Sequence, residues 1–212
     1  MHLPRTLLAD DHRMMREALA RLLEPACDIV GQAANGRELL DQAATHRPDL
    51  VVLDIGMPLL NGLEASRRLK QLAPNVRMIF LTVSEDPDLA REAFRTGASG
   101  YLLKNSAASE LLQAVDEAMQ GRTYVTPLVA KELLDFCLQE PSGPRELESL
   151  SPRQREVLQL IAEGFTMKKI AQMLDITPRT VAFHKYTMMK ELGITTSAEL
   201  VRFWEKQHIV TS

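Results

Sequence analysis

The chain has 212 residues, 45% of them hydrophobic and 25% charged, with a net charge of −3, long enough for one large or two small packed domains. Its two cysteines, Cys27 and Cys137, form no CxxC or Cys/His cluster, which argues against a disulfide framework or zinc site and for a reducing cytoplasm. Too few apolar residues precede Asp10 for a secretory segment, and nowhere do ~18 run together, so neither export nor a membrane role is expected.

Up to about residue 120 short apolar runs alternate with amphipathic stretches. Leu7-Leu8-Ala9, Ile29-Val30, Leu50-Val51-Val52-Leu53, Met78-Ile79-Phe80-Leu81 and Tyr101-Leu102-Leu103 read as five buried strands. Helices are expected over Met14–Leu23, Arg37–Ala44, Leu63–Leu72, Pro87–Thr96 and Ala108–Met119, with Gly and Pro at the joints. Unbroken apolar strands alternating with helices imply an α/β fold, a doubly wound five-stranded parallel sheet covered on both faces. This domain is placed at residues 1–121. A linker with a helix over Pro127–Leu138 fills 122–147, where Glu140-Pro141-Ser142-Gly143-Pro144 breaks regular structure. A smaller all-α helix-turn-helix domain occupies 148–212. Its helices open at Ser151-Pro152, a capping box with proline at the first helical position, at Thr166, at Thr177-Pro178 and at Ser197.

In open α/β sheets, ligands bind beyond the carboxyl ends of the strands. Four of the five strands end there in polar residues: Asp10-Asp11, Asp54, Thr82 and Lys104. Taken singly, each has an ordinary explanation: Asp10 as a helix cap, Asp54 as a turn former, Thr82 as a strand residue, Lys104 as a surface lysine. Together they suit phosphoryl transfer. Mg²⁺ would offset the repulsion among three carboxylates, Asp54 would be the nucleophile, Lys104 would pair with phosphoryl oxygens, and Thr82 would hydrogen-bond one of them.

Leu8-Ala9-Asp10-Asp11, Asp54-Ile55-Gly56-Met57-Pro58 with Asn61-Gly62, Leu81-Thr82 and Gly100-Tyr101-Leu102-Leu103-Lys104 resemble the CheY-like receiver domain of two-component response regulators. The resemblance implies that Asp54 accepts the phosphoryl group. It also implies that Asp11, Asp54 and the Gly56 carbonyl bind Mg²⁺, with Asp10 acting through water. Thr82 and Tyr101 are then a switch pair, the hydroxyl turning to the phosphoryl group and the ring moving inward. Two residues depart from the pattern. Asn105 replaces the proline common after the lysine, and Val83 replaces the small residue common after the threonine, which would narrow access to Asp54.

Charge is unevenly spread. Residues 145–212 hold ten Lys/Arg against eight Asp/Glu, and the preceding part fifteen against twenty. Between Thr166 and Lys190 the only acid is Asp175. Ile170, Leu174, Ile176, Val181, Met188 and Leu192 are spaced to form an inner face. Lys168, Lys169, Arg179, Thr180, His184, Lys185 and Lys190 are expected on the outer face, where they would meet DNA phosphates. A small helical bundle that binds protein is the plainer alternative. Leu150–Leu158, Ala162-Glu163-Gly164, Ile170-Ala171, Thr180-Val181 with His184, and Leu192-Gly193-Ile194 resemble the LuxR-type helix-turn-helix. By that resemblance Ala182, Phe183 and Tyr186 stand where bases are reached. Asp175 replaces a glycine common in the turn, which Asp tolerates because it adopts left-handed backbone angles.

With the receiver in front, nearly the whole chain is similar to the NarL/FixJ group. The resemblance implies a cytoplasmic transcription regulator, not an enzyme in the ordinary sense, switched at Asp54 by a sensor histidine kinase. Its further partners would be double-stranded promoter DNA and RNA polymerase, with a homodimer forming on phosphorylation. A haloacid-dehalogenase-type phosphatase needs a second Asp two residues after Asp54, where Gly56 stands. A receiver that works by protein contacts without phosphorylation is a nearer alternative, and the intact Asp10, Asp11, Asp54, Thr82 and Lys104 argue against it.

Overall fold

The computed structural model describes residues 3–138 and 150–208. The chain divides into two compact units, Met1–Glu140 and Pro141–Ser212. Among the described residues no helix is long and apolar enough to cross a membrane.

The first unit is built on strands β1 (Arg5–Ala9), β2 (Asp28–Ala33), β3 (Leu50–Asp54), β4 (Arg77–Thr82), β5 (Gly100–Leu103) and β6 (Tyr124–Val125). They lie in the order β2-β1-β3-β4-β5-β6, and every pairing is parallel. Successive side chains of a strand face opposite sides, and the core divides accordingly. Leu7, Val51, Leu53, Met78, Phe80 and Tyr101 pack on one face, under α2 (Gly36–His46), α3 (Gly62–Leu72) and α4 (Pro87–Arg95). Leu8, Leu50, Val52, Ile79, Leu81 and Leu102 pack on the other, under α1 (Arg13–Leu23) and α5 (Ala107–Met119).

The five expected strands and helices are present, and the sheet has one strand more. Tyr124–Val125 pairs with Gly100–Tyr101 at the edge. Two residues leave too short a pattern to read in sequence. Behind it, α6 (Pro127–Leu138) packs against α4, with Val129 fully buried and Leu133 against the same core. The sequence boundary at residue 121 therefore falls short. The helix assigned to a linker is part of the first unit, because its apolar side chains complete that unit's core. The expected break at residues 140–144 lies outside the described residues.

The second unit holds α7 (Pro152–Ala162), α8 (Met167–Met173), α9 (Pro178–Glu191) and α10 (Ser197–His208). The capping box is formed in full: the Ser151 side chain accepts from the Gln154 N–H, and the Gln154 side chain accepts from the Ser151 N–H at 2.6 Å. Thr166 and Thr177 cap α8 and α9 through the N–H groups of Lys169 and Thr180. Between α8 and α9 the chain turns through Asp175, at φ +51°.

That left-handed backbone costs a side chain with Cβ substituents about 1 kcal/mol or more. Asp175→Gly is expected to raise or maintain the stability of the second unit, and Asp175→Val to lower it by about 1 kcal/mol. The urea midpoint followed through the fluorescence of Trp204 tests both.

Candidate functional site

All six strands point the same way, but from β1 the chain steps outward to β2 on one side and then to β3, β4, β5 and β6 on the other. The order reverses between β1 and β3, where a crevice opens at the carboxyl ends. Ala9 pairs with Leu53, so Asp10 and Asp54 leave the sheet side by side. Leu81 pairs with Asp54 and Leu103 with Thr82, which sets Thr82 one residue beyond Asp54 and Lys104 next to it.

All four are buried or half-buried. The Lys104 ammonium lies 2.8 Å from Asp54 Oδ2 and 2.8 Å from Asp10 Oδ2. Asp10 Oδ1 accepts the His12 N–H at 2.8 Å, so Asp10 organises the turn after β1. It is not the cap of α1. His12 holds that position, without a side-chain cap. The Arg16 guanidinium donates to the Asp10 carbonyl. Asp11 is more exposed, its carboxylate 2.7 Å from His12 Nδ1. Asp10, Asp11 and His12 offer ligand-type atoms all within 4.8 Å of one another. Asp54 joins them through Lys104. Gly56 touches the site with its backbone N–H, which donates to Asp54.

Burial is the largest influence on Asp54 and raises its pKa above the usual carboxylate range. Lys104 opposes the shift and the charge of Asp10 reinforces it. Burial also disfavours the charge on Lys104, but Asp54 and Asp10 outweigh it and raise its pKa. The lysine stays charged and Asp54 gives up its proton less readily than a free aspartate.

The loop after Asp54 is tightly built. At Gly62 any Cβ would lie 2.0 Å from the Asp54 carbonyl oxygen, so only glycine lets α3 begin there. Asn61 caps that helix through the Glu64 N–H. Leu59, with φ +66°, holds a left-handed backbone rare for a branched residue. Thr82 is buried and its hydroxyl accepts the Ser84 N–H at 3.1 Å. Tyr101 is fully buried, its ring already inward, and its hydroxyl donates to the Ser84 carbonyl at 3.1 Å. Burial first, then the charge of Asp86, push the phenol well above its usual range, so it remains a donor. Val83 is half exposed.

In the second unit, of the expected inner face, Ile170, Leu174, Val181 and Met188 are buried, while Ile176 and Leu192 are half-buried. Lys168, Lys169, Arg179 and Lys190 are exposed. Phe183 and Tyr186 are exposed as well, at 66% and 61%. Ala182, Thr180 and His184 are half-buried, and the Thr180 hydroxyl lies 2.9 Å from that of the capping Thr177. Burial, then nearby Arg153, hold His184 below its ordinary pKa. Lys185 corrects the sequence reading. It is only 9% exposed, and its ammonium donates to Ser197 Oγ at 2.6 Å. One turn before buried Met188 and Met189, it lies on the inner flank and ties α9 to α10.

Residues 6–116 match the family described as Response regulator receiver domain, and residues 148–204 match Bacterial regulatory proteins, luxR family. The chain belongs to the LuxR-family response regulators. It is 35% identical to the nitrate/nitrite response regulator protein NarL of Escherichia coli, over 96% of this chain and 95% of that one. It is 31% identical to the response regulator GacA of Pseudomonas aeruginosa, over 92% of each. Among solved structures, a LuxR-family response regulator from Aurantimonas shares 34% identity at a TM-score of 0.62, covering 65% of this chain and all of that one. RcsB of Salmonella typhimurium shares the fold at a TM-score of 0.66 and 24% identity, covering 96% and 97%. The protein is thus a DNA-binding response regulator with an N-terminal receiver.

Sequence reasoning missed two receiver residues. Ser84 accepts from Tyr101 at its carbonyl and donates its N–H to Thr82; both contacts run through the main chain, so only its place two residues after Thr82 marked it. His12 directly follows the acidic pair, and only the turn brings its ring back onto Asp11.

Lys104→Met is expected to destabilise the receiver by about 3 kcal/mol, because two facing carboxylates lose their counter-charge. Asp54→Asn is expected to stabilise it. A raised folded-state pKa means that Asp54 supports the fold while protonated and loses that support as pH rises through the raised value. The gap between Asp54→Asn and wild type should therefore widen as pH climbs from about 4 and then level off. Urea unfolding with chelator present, across that pH range, checks both statements.

Proposed function

We propose that this regulator is switched by transfer of a phosphoryl group from a sensor histidine kinase to Asp54. The observation that carries the proposal is the Lys104 ammonium set 2.8 Å from both Asp54 and Asp10 at the strand ends. An Asp54 carboxylate oxygen attacks phosphorus as the bond to the donor imidazole nitrogen breaks. Lys104 then turns from the carboxylates to the phosphoryl oxygens, and the Thr82 hydroxyl follows as a hydrogen-bond donor. Giving up its contact with Ser84 N–H, Thr82 loosens the segment that holds Tyr101, which couples the site to the β4–α4 surface.

The donor set fits a divalent cation. Asp10, Asp11 and Asp54 carry three negative charges against the single charge of Lys104, and hard carboxylate oxygens suit Mg²⁺. Asp10, Asp11, Asp54 and the Gly56 carbonyl would hold it. The chemistry that Mg²⁺ would supply there is charge compensation for the phosphoryl oxygens.

The second unit is read as the output. Lys168, Lys169, Arg179 and Lys190 would contact phosphates, while Thr180, Ala182, Phe183, His184 and Tyr186 face the groove of promoter DNA. RcsB, which shares the fold, has been solved as two dimers bound to two parallel DNAs, and this supports a homodimer as the DNA-bound form, which phosphorylation would favour. RNA polymerase is the partner through which such a complex would alter transcription, in the cytoplasm.

Solution mass with and without beryllofluoride plus Mg²⁺ tests the switch, with Asp54→Ala as control. A monomer-to-dimer shift in wild type alone is the expected result. Binding of the mimic without a mass change would move the output from dimerisation to release of the second unit. No binding would overturn the phosphorylation reading in favour of a receiver acting by protein contacts alone.

A further inference from the structure

The exposed half of α9 carries more than positive charge. At 3.6 residues per turn, Arg179, Ala182, Phe183, Tyr186 and Lys190 fall on one stripe. Opposite it, Val181 and Met188 are buried in the unit's core, and Met189 is buried beside its Ala182 edge. The centre of the stripe is apolar and its two ends are cationic. Phe183 and Tyr186, 66% and 61% exposed, form a patch of the kind that water disfavours and a partner covers.

Both rings are held in place. Phe183 meets the His184 ring edge-on, with centroids 5.9 Å apart. The Lys185 ammonium lies 5.5 Å from the centroid of Tyr186 while fixed by its hydrogen bond to Ser197. Rings ordered before contact lose little entropy on binding.

Charge selects the partner. Arg179 and Lys190 are separated by about 16 Å along the helix, somewhat more than the ~12 Å width of a major groove. With the helix in the groove, the ends reach flanking phosphates and the aromatic centre meets base edges. Lys168 and Lys169 add exposed positive charge, and Asp175 is the one acid between Thr166 and Lys190. Chemistry then selects the base. Ala182 and Phe183 offer no donor or acceptor, so the paired hydrogen bonds that read guanine or adenine cannot come from them. What an apolar side chain reads in the major groove is the C5-methyl group of thymine.

We propose that α9 chooses its DNA sites by thymine methyl groups, contacted by Phe183 with Ala182 and flanked by Tyr186. The proposal rests on the reading of the chain as a DNA-binding regulator, and uracil separates the two, since it keeps every hydrogen-bonding group of thymine and lacks the methyl. The full chain, activated with beryllofluoride and Mg²⁺, is first used to select duplexes from a random-sequence pool. The enriched duplexes are then remade with uracil at single thymine positions, and binding is measured at fixed salt.

Loss of about fourfold for each contacted methyl is expected. Phe183→Ser should abolish the thymine–uracil difference while keeping residual binding, and Phe183→Leu should retain part of it. Phe183 is exposed, so neither variant threatens folding, which circular dichroism confirms. Enriched sequences bound equally with uracil would overturn the proposal and leave DNA binding intact. A Phe183→Ser variant that changes solution mass but keeps the discrimination would assign the stripe to protein association instead, and would also overturn it. Failure to bind any duplex would overturn the DNA-binding reading beneath it.

Discussion

Lys104 places one positive charge between two buried carboxylates, 2.8 Å from Asp10 and from Asp54. Burial and the charge of Asp10 both favour protonation of Asp54, and Lys104 opposes them. The contact joins the ends of β1, β3 and β5, which only a parallel sheet with a reversal between β1 and β3 brings together. The fold and the charge balance therefore depend on one another. One ammonium is shared between two carboxylates, with a third, that of Asp11, turned to His12. In the proposed phosphoryl transfer, incoming anionic oxygens would take over the lysine.

Around this contact the chain accepts local strain. Leu59 holds a left-handed backbone, and Gly62 sits where a side chain would strike the Asp54 carbonyl. These devices fix the Asp54 main chain while leaving its carboxylate free to exchange partners. On the other flank, Thr82 and Tyr101 both terminate on Ser84, one at its N–H and one at its carbonyl. A small movement of the Thr82 hydroxyl thus disturbs the peptide that anchors the buried phenol. Two polar side chains sharing one residue couple the Thr82 hydroxyl to the buried phenol.

β1, β3, β4 and β5 were legible because they are buried on both faces, which leaves apolar runs until the site begins; β2, at the sheet edge, is only half-buried and showed no more than Ile29-Val30. The same burial made Asp10, Asp54, Thr82 and Lys104 conspicuous as the first polar residues beyond each run. β6 was not legible: two residues carry no period, and their pairing depends on the β5 edge being free. The helix over Pro127–Leu138 was found, but its attachment was not, since an amphipathic helix does not name the surface it covers. Lys185 was misplaced for a related reason. A lysine reads as solvent-facing by its charge, yet its position before Met188 and Met189 turns it inward, where Ser197 takes its ammonium. Helical phase outranked residue type.

That inward turn bears on how α9 divides its labour. With Lys185 withdrawn, the positive charge of the helix stands at its ends, in Arg179 and Lys190, and its middle is left to Ala182, Phe183 and Tyr186. Charge at the ends gives attraction that any DNA satisfies and that salt weakens. An apolar middle adds little to that attraction, but it distinguishes base edges that the phosphates cannot. The separation also explains why the sequence showed the first property more readily than the second. Counting charges along Thr166–Lys190 suggests a polyanion partner, although ordinary solvated surface accounts for the same count. Knowing which uncharged side chains face it requires the helix to be packed, with Val181, Lys185 and Met188 already committed to the inside.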